Sequence, residues 1–304
     1  MRDEHDFAPP RRRGKQRFDD DDRGFADKRR AMATPRVVDA SEDSLDPGTR
    51  WSTWDDATHG PSPRPHWVIT ELAALDIELG VLKTGKEADV HLVERQLPGT
   101  DRSVLMAAKR YRSNQHRMFH RDAGYLEGRR VRKSRELRAM ANRTAFGRDV
   151  LAAQWAVAEF QALSRLWSID VPVPYPVQLT GTELLLEFLG DADGTAAPRL
   201  VQLRPEGEEL RGLWQQLVDA LVQLSAEGLA HGDLSPYNVL VHDGRLVLID
   251  LPQVVDLVAN PSGLTFLRRD VTVMTMWFAA RGLAPEVADA ERLVDLLVDE
   301  AGLT

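Results

Sequence analysis

The chain has 304 residues, 43% of them hydrophobic, enough for one large domain or two lobes, and a formal net charge of −8. Cysteine is absent, which excludes a disulfide framework, a thiolate nucleophile and a cysteine-held metal. No apolar run reaches the roughly 18 residues of a membrane span. The charged opening MRDEHDFAPPRRRGK also lacks the apolar centre of a signal peptide, so the cytoplasm is the expected location and no membrane contact is expected.

Residues 1–65 read as a disordered, charged tail. RRRGKQRFDDDDRG sets a basic run beside an acidic one, and residues 1–50 hold 12 Lys/Arg against 12 Asp/Glu with few aliphatics to bury. GPSPRP (Gly60 to Pro65) reads as the linker into the fold. GVLKTGKEADVHLVE (Gly80 to Glu94) follows as strand, turn, strand. In its turn, Thr84-Gly85-Lys86-Glu87, the glycine is expected to let backbone N–H groups approach phosphate. SVLMAAKRYR (Ser103 to Arg112) is a third strand with Lys109 in an apolar run.

The next stretch is basic. Residues 109–148 contain 13 Lys/Arg and 3 Asp/Glu, a balance of +10 in a chain of −8. That patch suits a phosphate backbone, or else a solvated basic helix. Leu151 to Trp167 is a helix with Leu151, Trp155, Ala158, Ala162 and Leu166 near helical spacing and Glu159 among them. VPVPYP (Val171 to Pro176) is a rigid connector, and GTELLLEFLG (Gly181 to Gly190) a turn and buried strand ending at Glu187 to Leu189. At a lobe junction such a strand end can read an adenine edge with its backbone. Leu210 to Gly228 is an amphipathic helix closed by glycine.

HGDLSPYNVLV (His231 to Val241) then places Asp233 and, five residues on, Asn238 before a strand. Val239–His242 and Leu246–Ile249 are joined by Asp243-Gly244, a strong hairpin signal. The hairpin brings its outer ends together, so Asp233, Asn238 and Asp250 converge. Three hard oxygen donors at one mouth suit magnesium with phosphate. The Asp-x₄-Asn spacing is that of a phosphotransferase catalytic loop: the first Asp takes the acceptor proton, while the Asn and the later Asp hold metal. Lys109, pairing the phosphates, would take Glu159 as its helix partner. Ala284-Pro285-Glu286 matches the tripeptide that closes kinase activation loops. Leu264 to Gly282 before it reads instead as a long, largely buried helix, and Pro285 as the start of the last helix.

TGKEADV (Thr84 to Val90), HGDLSPYNVLV, IDLPQ (Ile249 to Gln253) and FLRRD (Phe266 to Asp270) together resemble the RIO atypical protein kinases over about residues 66–285. The Ala-, Arg- and Leu-rich chain is bacterial in style. The resemblance implies an α+β, two-lobe protein-kinase-like fold, trimmed and without an activation loop. Its β-rich N-lobe would span 66–190, with a flexible basic insert at 113–148, and its helical C-lobe 191–304. It implies an ATP- and magnesium-dependent serine/threonine kinase. Asp233 is the catalytic residue and Asn238 and Asp250 the metal ligands. Lys109, with Glu159 and the turn Thr84, Gly85, Lys86 and Glu87, serves the nucleotide, and Glu187 and Leu189 form the hinge. In this family the aspartate at the Asp250 position is also linked to a phospho-aspartate intermediate, and members act as ATPase switches in ribosome maturation. The implied partners are a protein substrate or the chain itself, with Ser113, Ser134 and Thr144 as acceptors, and RNA or a ribosomal subunit through the insert. His-Gly-Asp at 231–233, where the family often has His-Ala-Asp, is common in aminoglycoside-type small-molecule phosphotransferases, the alternative enzyme. A catalytically weak scaffold is the non-enzyme alternative.

Overall fold

The computed structural model describes residues 45–112 and 145–303, the backbone alone for 145–150. The tail up to residue 44 and the insert at 113–144, with its three acceptor residues, lie outside the described residues. Within the described part, a seven-stranded antiparallel sheet is followed by a helical region.

The sheet runs in the order β1-β3-β4-β5-β7-β6-β2. Its strands are β1 (Thr49–Trp51), β2 (Thr58–His59), β3 (Leu75–Thr84), β4 (Ala88–Gln96), β5 (Ser103–Tyr111), β6 (Pro176–Thr180) and β7 (Glu183–Glu187). The expected boundary at residue 65 is therefore too late. Residues 49–51 pair with β3 at one edge and 58–59 with β6 at the other. Trp54 is buried between these two contacts against Val93, Met106, Tyr175 and Leu185. These edge strands are three and two residues long, too short to show a sequence period.

Strand alternation decides what β5 offers to each side. Met106 and Ala108 enter the core with Trp54, whereas Ala107, Lys109 and Tyr111 face the opposite side, toward helix and cavity. Helix α1 (Ala145–Trp167) covers that side. Its buried stripe is Ala152, Ala156, Phe160, Leu163 and Leu166, which shares only Leu166 with the expected stripe, and Glu159 lies within it, 1% exposed. A buried ion pair ties the sheet together. Arg95 on β4 is fully enclosed and grips Asp76 on β3 through two bonds of 2.7 and 3.0 Å, with further bonds to Gln178 and the Ile69 carbonyl.

The second region contains α2 (Gly207–Ala226), β8 (Leu229–Ala230), the hairpin β9 (Val239–His242) and β10 (Arg245–Leu248), β11 (Val255–Asp256), α3 (Gly263–Ala279) and α4 (Ala290–Glu300). At the hairpin turn Asp243 and Gly244 both have positive φ, 51° and 73°, as the two-residue loop requires. Strand β11 returns to pair with β8, so the chain after the hairpin is held directly beneath the loop that starts at His231. Helix α3 presents Leu267, Asp270, Val271, Met274 and Phe278 inward, a stripe with one carboxylate in it. Pro285 does not begin the last helix. It sits in a turn, and α4 starts five residues later, where the Asp289 side chain caps the Arg292 N–H.

Candidate active site

A cavity of about 750 Å³ lies between the sheet and the helical region. From the sheet side it is lined by Lys83, Gly85, Lys86, Glu87, Val90, Ala107, Lys109 and Tyr111. Glu187 to Leu189 form its back, and Asp233, Leu240, Ile249 and Asp250 its far side. Most of the residues read from the sequence thus meet in one place. Two do not line it. The Thr84 hydroxyl is bonded to Asp89. Asn238 is buried, and its Nδ2 donates to the carbonyl of Asp233 at 2.8 Å, which stiffens the loop.

Lys109 is the hub. Its Nζ donates to Oε1 of Glu159 and to Oδ1 of Asp250, both at 2.7 Å. Burial opposes the charge, but the two carboxylates outweigh it and hold the ammonium above its usual range. In return the ammonium depresses Asp250 to about 2. Asp250 directly follows the hairpin at φ 67°, a left-handed bend that aspartate tolerates. Glu159 is held by more than Lys109: the Tyr111 hydroxyl donates to its other oxygen and the Leu251 N–H to Oε1. Tyr111 stands two residues after Lys109, on the same strand face. Burial and the Glu159 carboxylate raise its phenol well above the ordinary range.

The 231–238 loop is fixed from below. His231 is fully buried, with Nε2 3.1 Å from the Ile249 carbonyl and Nδ1 accepting from the Asp233 N–H at 3.4 Å, an arrangement that calls for the Nε2–H tautomer. Asp270 on α3 accepts the N–H groups on either side of Asp233: Gly232 at 2.7 Å and Leu234 at 2.9 Å. Burial pushes the Asp270 carboxyl above the ordinary range, against the pull of His231 and both N–H groups. Within FLRRD, nothing in the local sequence gives Asp270 this task. The available signal was a carboxylate on an apolar helix stripe. Arg269, its neighbour, reaches Oδ1 of Asp233 at 3.0 Å.

Two glycines take a different meaning from the one expected. The Gly85 N–H donates to the Ala88 carbonyl at 2.9 Å, and a Cβ there would stand 2.7 Å from that oxygen. The tight turn is what requires glycine at 85, and its own N–H is spent inside it. Gly232 has φ +85° and a Cβ there would lie 2.3 Å from the Gln253 carbonyl. Glycine at 232 thus meets a backbone requirement of this chain, whatever its acceptor.

At the hinge, Glu187 Oε2 accepts the Tyr175 N–H at 3.0 Å and the Leu189 carbonyl accepts the Ala197 N–H at 2.9 Å. The Glu187 side chain therefore braces the connector. Glu87 has a raised carboxyl, through burial and then through Asp250, Asp233 and Glu159 around the same cavity. Lys83 and Arg199, neither singled out from sequence, also line it, and burial with the Arg199 charge lowers the Lys83 ammonium. Among the described residues no three His, Cys, Asp or Glu side chains group as a complete metal cage. Asp250 lines the cavity, and its carboxylate supplies one hard oxygen there; magnesium takes one or two protein oxygens and completes its shell from phosphate and water.

This geometry is that of a phosphotransferase cleft, and comparison with known proteins gives the family. The RIO domain family model matches residues 100–292, more than half of the chain. A relative from Haloferax volcanii, a RIO-type serine/threonine-protein kinase Rio1, is 32% identical over 252 residues, 83% of this chain and 78% of the relative. The serine/threonine-protein kinase RIO1 of Caenorhabditis elegans is 33% identical over 242 residues, 78% of this chain and 44% of the relative, so the chain spans under half of that protein. Among solved structures, the Rio2 kinase–ADP/Mg²⁺–phosphoaspartate complex of Chaetomium thermophilum aligns with a TM-score of 0.48 and 20% identity, over 75% of this chain and 67% of that one. The chain belongs to the RIO family. No described helix is long and apolar enough to cross a membrane.

Proposed function

We propose that this chain is an ATP- and magnesium-dependent protein kinase that transfers the γ-phosphoryl group of ATP to a serine or threonine hydroxyl, on another protein or on itself. The observation that carries this reading is the double pairing of Lys109 with Glu159 and Asp250, 2.7 Å each, in the cavity that Asp233 also lines. Lys109 would pair the α- and β-phosphates with its position fixed by Glu159. The backbone of Glu187 to Leu189 would read the adenine edge, with Ala107, Leu186 and Leu240 against the ring. Asp233 accepts the acceptor hydroxyl's proton as that oxygen bonds to the γ-phosphorus and the bond to ADP breaks. Asn238 and Asp250 would hold magnesium, which supplies neutralising charge to the phosphates when bound.

The likeness to serine/threonine-protein kinases supports protein over small-molecule acceptors, and the backbone role of Gly232 removes the sign that favoured the latter. A weak scaffold lacks support while Lys109, Asp233, Asn238 and Asp250 are all present. The +10 stretch at 109–148 supports RNA or a ribosomal subunit as a partner; its affinity would then fall with salt, at about −0.7 in log–log slope per phosphate contact on single strands. The deciding experiment is incubation of the purified chain and Asp233→Asn with labelled ATP, magnesium and a generic protein acceptor. Transfer should fall about 10²- to 10⁴-fold in the variant, with ATP affinity kept. Transfer within threefold of wild type removes Asp233 from the base role. Hydroxylamine-sensitive phosphate on wild type that is absent from Asp250→Ala would instead favour a phospho-aspartate ATPase switch.

A further inference from the structure

Asp270 fixes the loop backbone at 232 and 234, but a backbone anchor does not fix a carboxylate. The Asp233 side chain is 32% exposed and turns about a broad terminal torsion. Its carboxylate accepts from Arg269, the residue before Asp270 on α3, with Nη2 at 3.0 Å from Oδ1. The pair is too exposed to matter much for stability: Arg269 is 44% open to solvent, and solvent screens pairs of this kind. An arginine held against an essential carboxylate on the rim of the cleft, with little stabilising value, needs another account. The guanidinium is a planar fork whose N–H directions are set by its delocalised CN₃ plane rather than by free rotation, so it fixes direction as well as distance.

We propose that Arg269 is a positioning residue. By holding Oδ1 it fixes the rotamer of Asp233, so that the carboxylate stands ready for the acceptor hydroxyl before the substrate arrives. One helix turn thereby sets both backbone and side chain of the same residue, Asp270 the former and Arg269 the latter. The proposal rests on the reading of Asp233 as the base. A misplacement of about 1 Å at a reacting group can cost about 10²-fold in rate, so the contact would act on kcat and leave nucleotide binding alone.

The test uses Arg269→Met, Arg269→Lys and Asp233→Asn, singly and with Arg269→Met in the Asp233→Asn background. Arg269→Met should lower kcat for transfer about 10²-fold while KM for ATP and the melting temperature stay near wild type. Arg269→Lys, with charge but no fork, should restore part of the loss. In the Asp233→Asn background, Arg269→Met should change the residual rate less than threefold, because its effect passes through that carboxylate. Multiplicative losses, or a single-variant rate within threefold of wild type, overturn the proposal. A crystal structure of Arg269→Met gives a second reading independent of turnover: an Asp233 carboxylate still in its present rotamer also overturns it. Wild-type protein no more active than Asp233→Asn would sink the kinase reading itself, and the rotamer would still decide whether Arg269 positions the side chain.

Discussion

Leu251 donates its backbone N–H at 3.2 Å to the same Glu159 oxygen that takes the Lys109 ammonium at 2.7 Å. The segment just after Asp250 is thereby tied to helix α1, and the third donor, Tyr111, closes the other oxygen. Helix α1 and the segment after Asp250 are thus held together by fixed partners. Glu159→Ala leaves Lys109 with Asp250 alone and the Tyr111 hydroxyl without its acceptor. It should destabilise the fold by about 3 kcal/mol, the lower end for a broken buried pair, as measured by urea denaturation. ATP affinity by calorimetry should weaken with it. An unchanged denaturation midpoint would remove the cluster from the stability of the cleft.

Gly232→Ala places a methyl where 2.3 Å separates it from the Gln253 carbonyl, on a residue at φ +85°. The left-handed conformation costs about 1–2 kcal/mol for a residue with a Cβ, and relieving the overlap about 1–3 more. The variant should show a lowered melting temperature and weak transfer to every acceptor, protein or small molecule alike. Gain of small-molecule discrimination without loss of stability would restore the substrate meaning first read into His-Gly-Asp.

Asp270→Asn keeps one accepting oxygen but turns an NH₂ group toward a backbone N–H. Two donors then face each other inside the protein, at a cost of about 1–3 kcal/mol. Phosphoryl transfer should fall with it, since the loop carrying Asp233 loses one of its two anchors. Thermal unfolding and initial rates together check this; normal rates with lowered stability would show that the loop needs only one.

Arg95→Ala leaves the buried Asp76 carboxylate with Arg50, 3.8 Å away, as its remaining cation, and should cost about 3 kcal/mol. Replacing both partners, Arg95→Met with Asp76→Leu, should recover most of that loss, because a packed apolar pair avoids the desolvation penalty. Chemical denaturation of the three variants measures it. A double variant no better than Arg95→Ala would make Gln178 and the Ile69 carbonyl, the other acceptors of Arg95, the larger contributors.

Strands β3 to β5, helix α1 and the β9–β10 hairpin were legible because each has a clear period or a diagnostic turn, and Asp243-Gly244 even set the turn type. The family was legible from four short motifs that physical patterning alone would have left as turns. Other features were hidden because their cause lies across space. Glu159 could be paired with Lys109 from spacing, but its bonds to Tyr111 and Leu251 depend on the strand face and on the chain's return. The need for glycine at 232 comes from a carbonyl 21 residues away. Arg269 and Asp270 looked like one charged pair in a helix, though one faces the cleft rim and the other the interior. The last helix was misplaced because proline at a first turn and Asp at an N-cap are both start signals, and here the cap decides.

The short strands at 49–51 and 58–59 have a consequence for how this protein keeps to itself. They occupy the two outer borders of the sheet, pairing with Leu75 to Ile77 at the start of β3 and with Gln178 and Leu179 of β6. A ten-residue strand such as β3 left open would be a template for another chain, and natural sheets close such borders with very short strands. Trimming the protein at residue 66, just after the stretch that reads as a linker, would unzip both borders at once. The cleft would keep every residue named above, but self-association through exposed strands would then compete with folding.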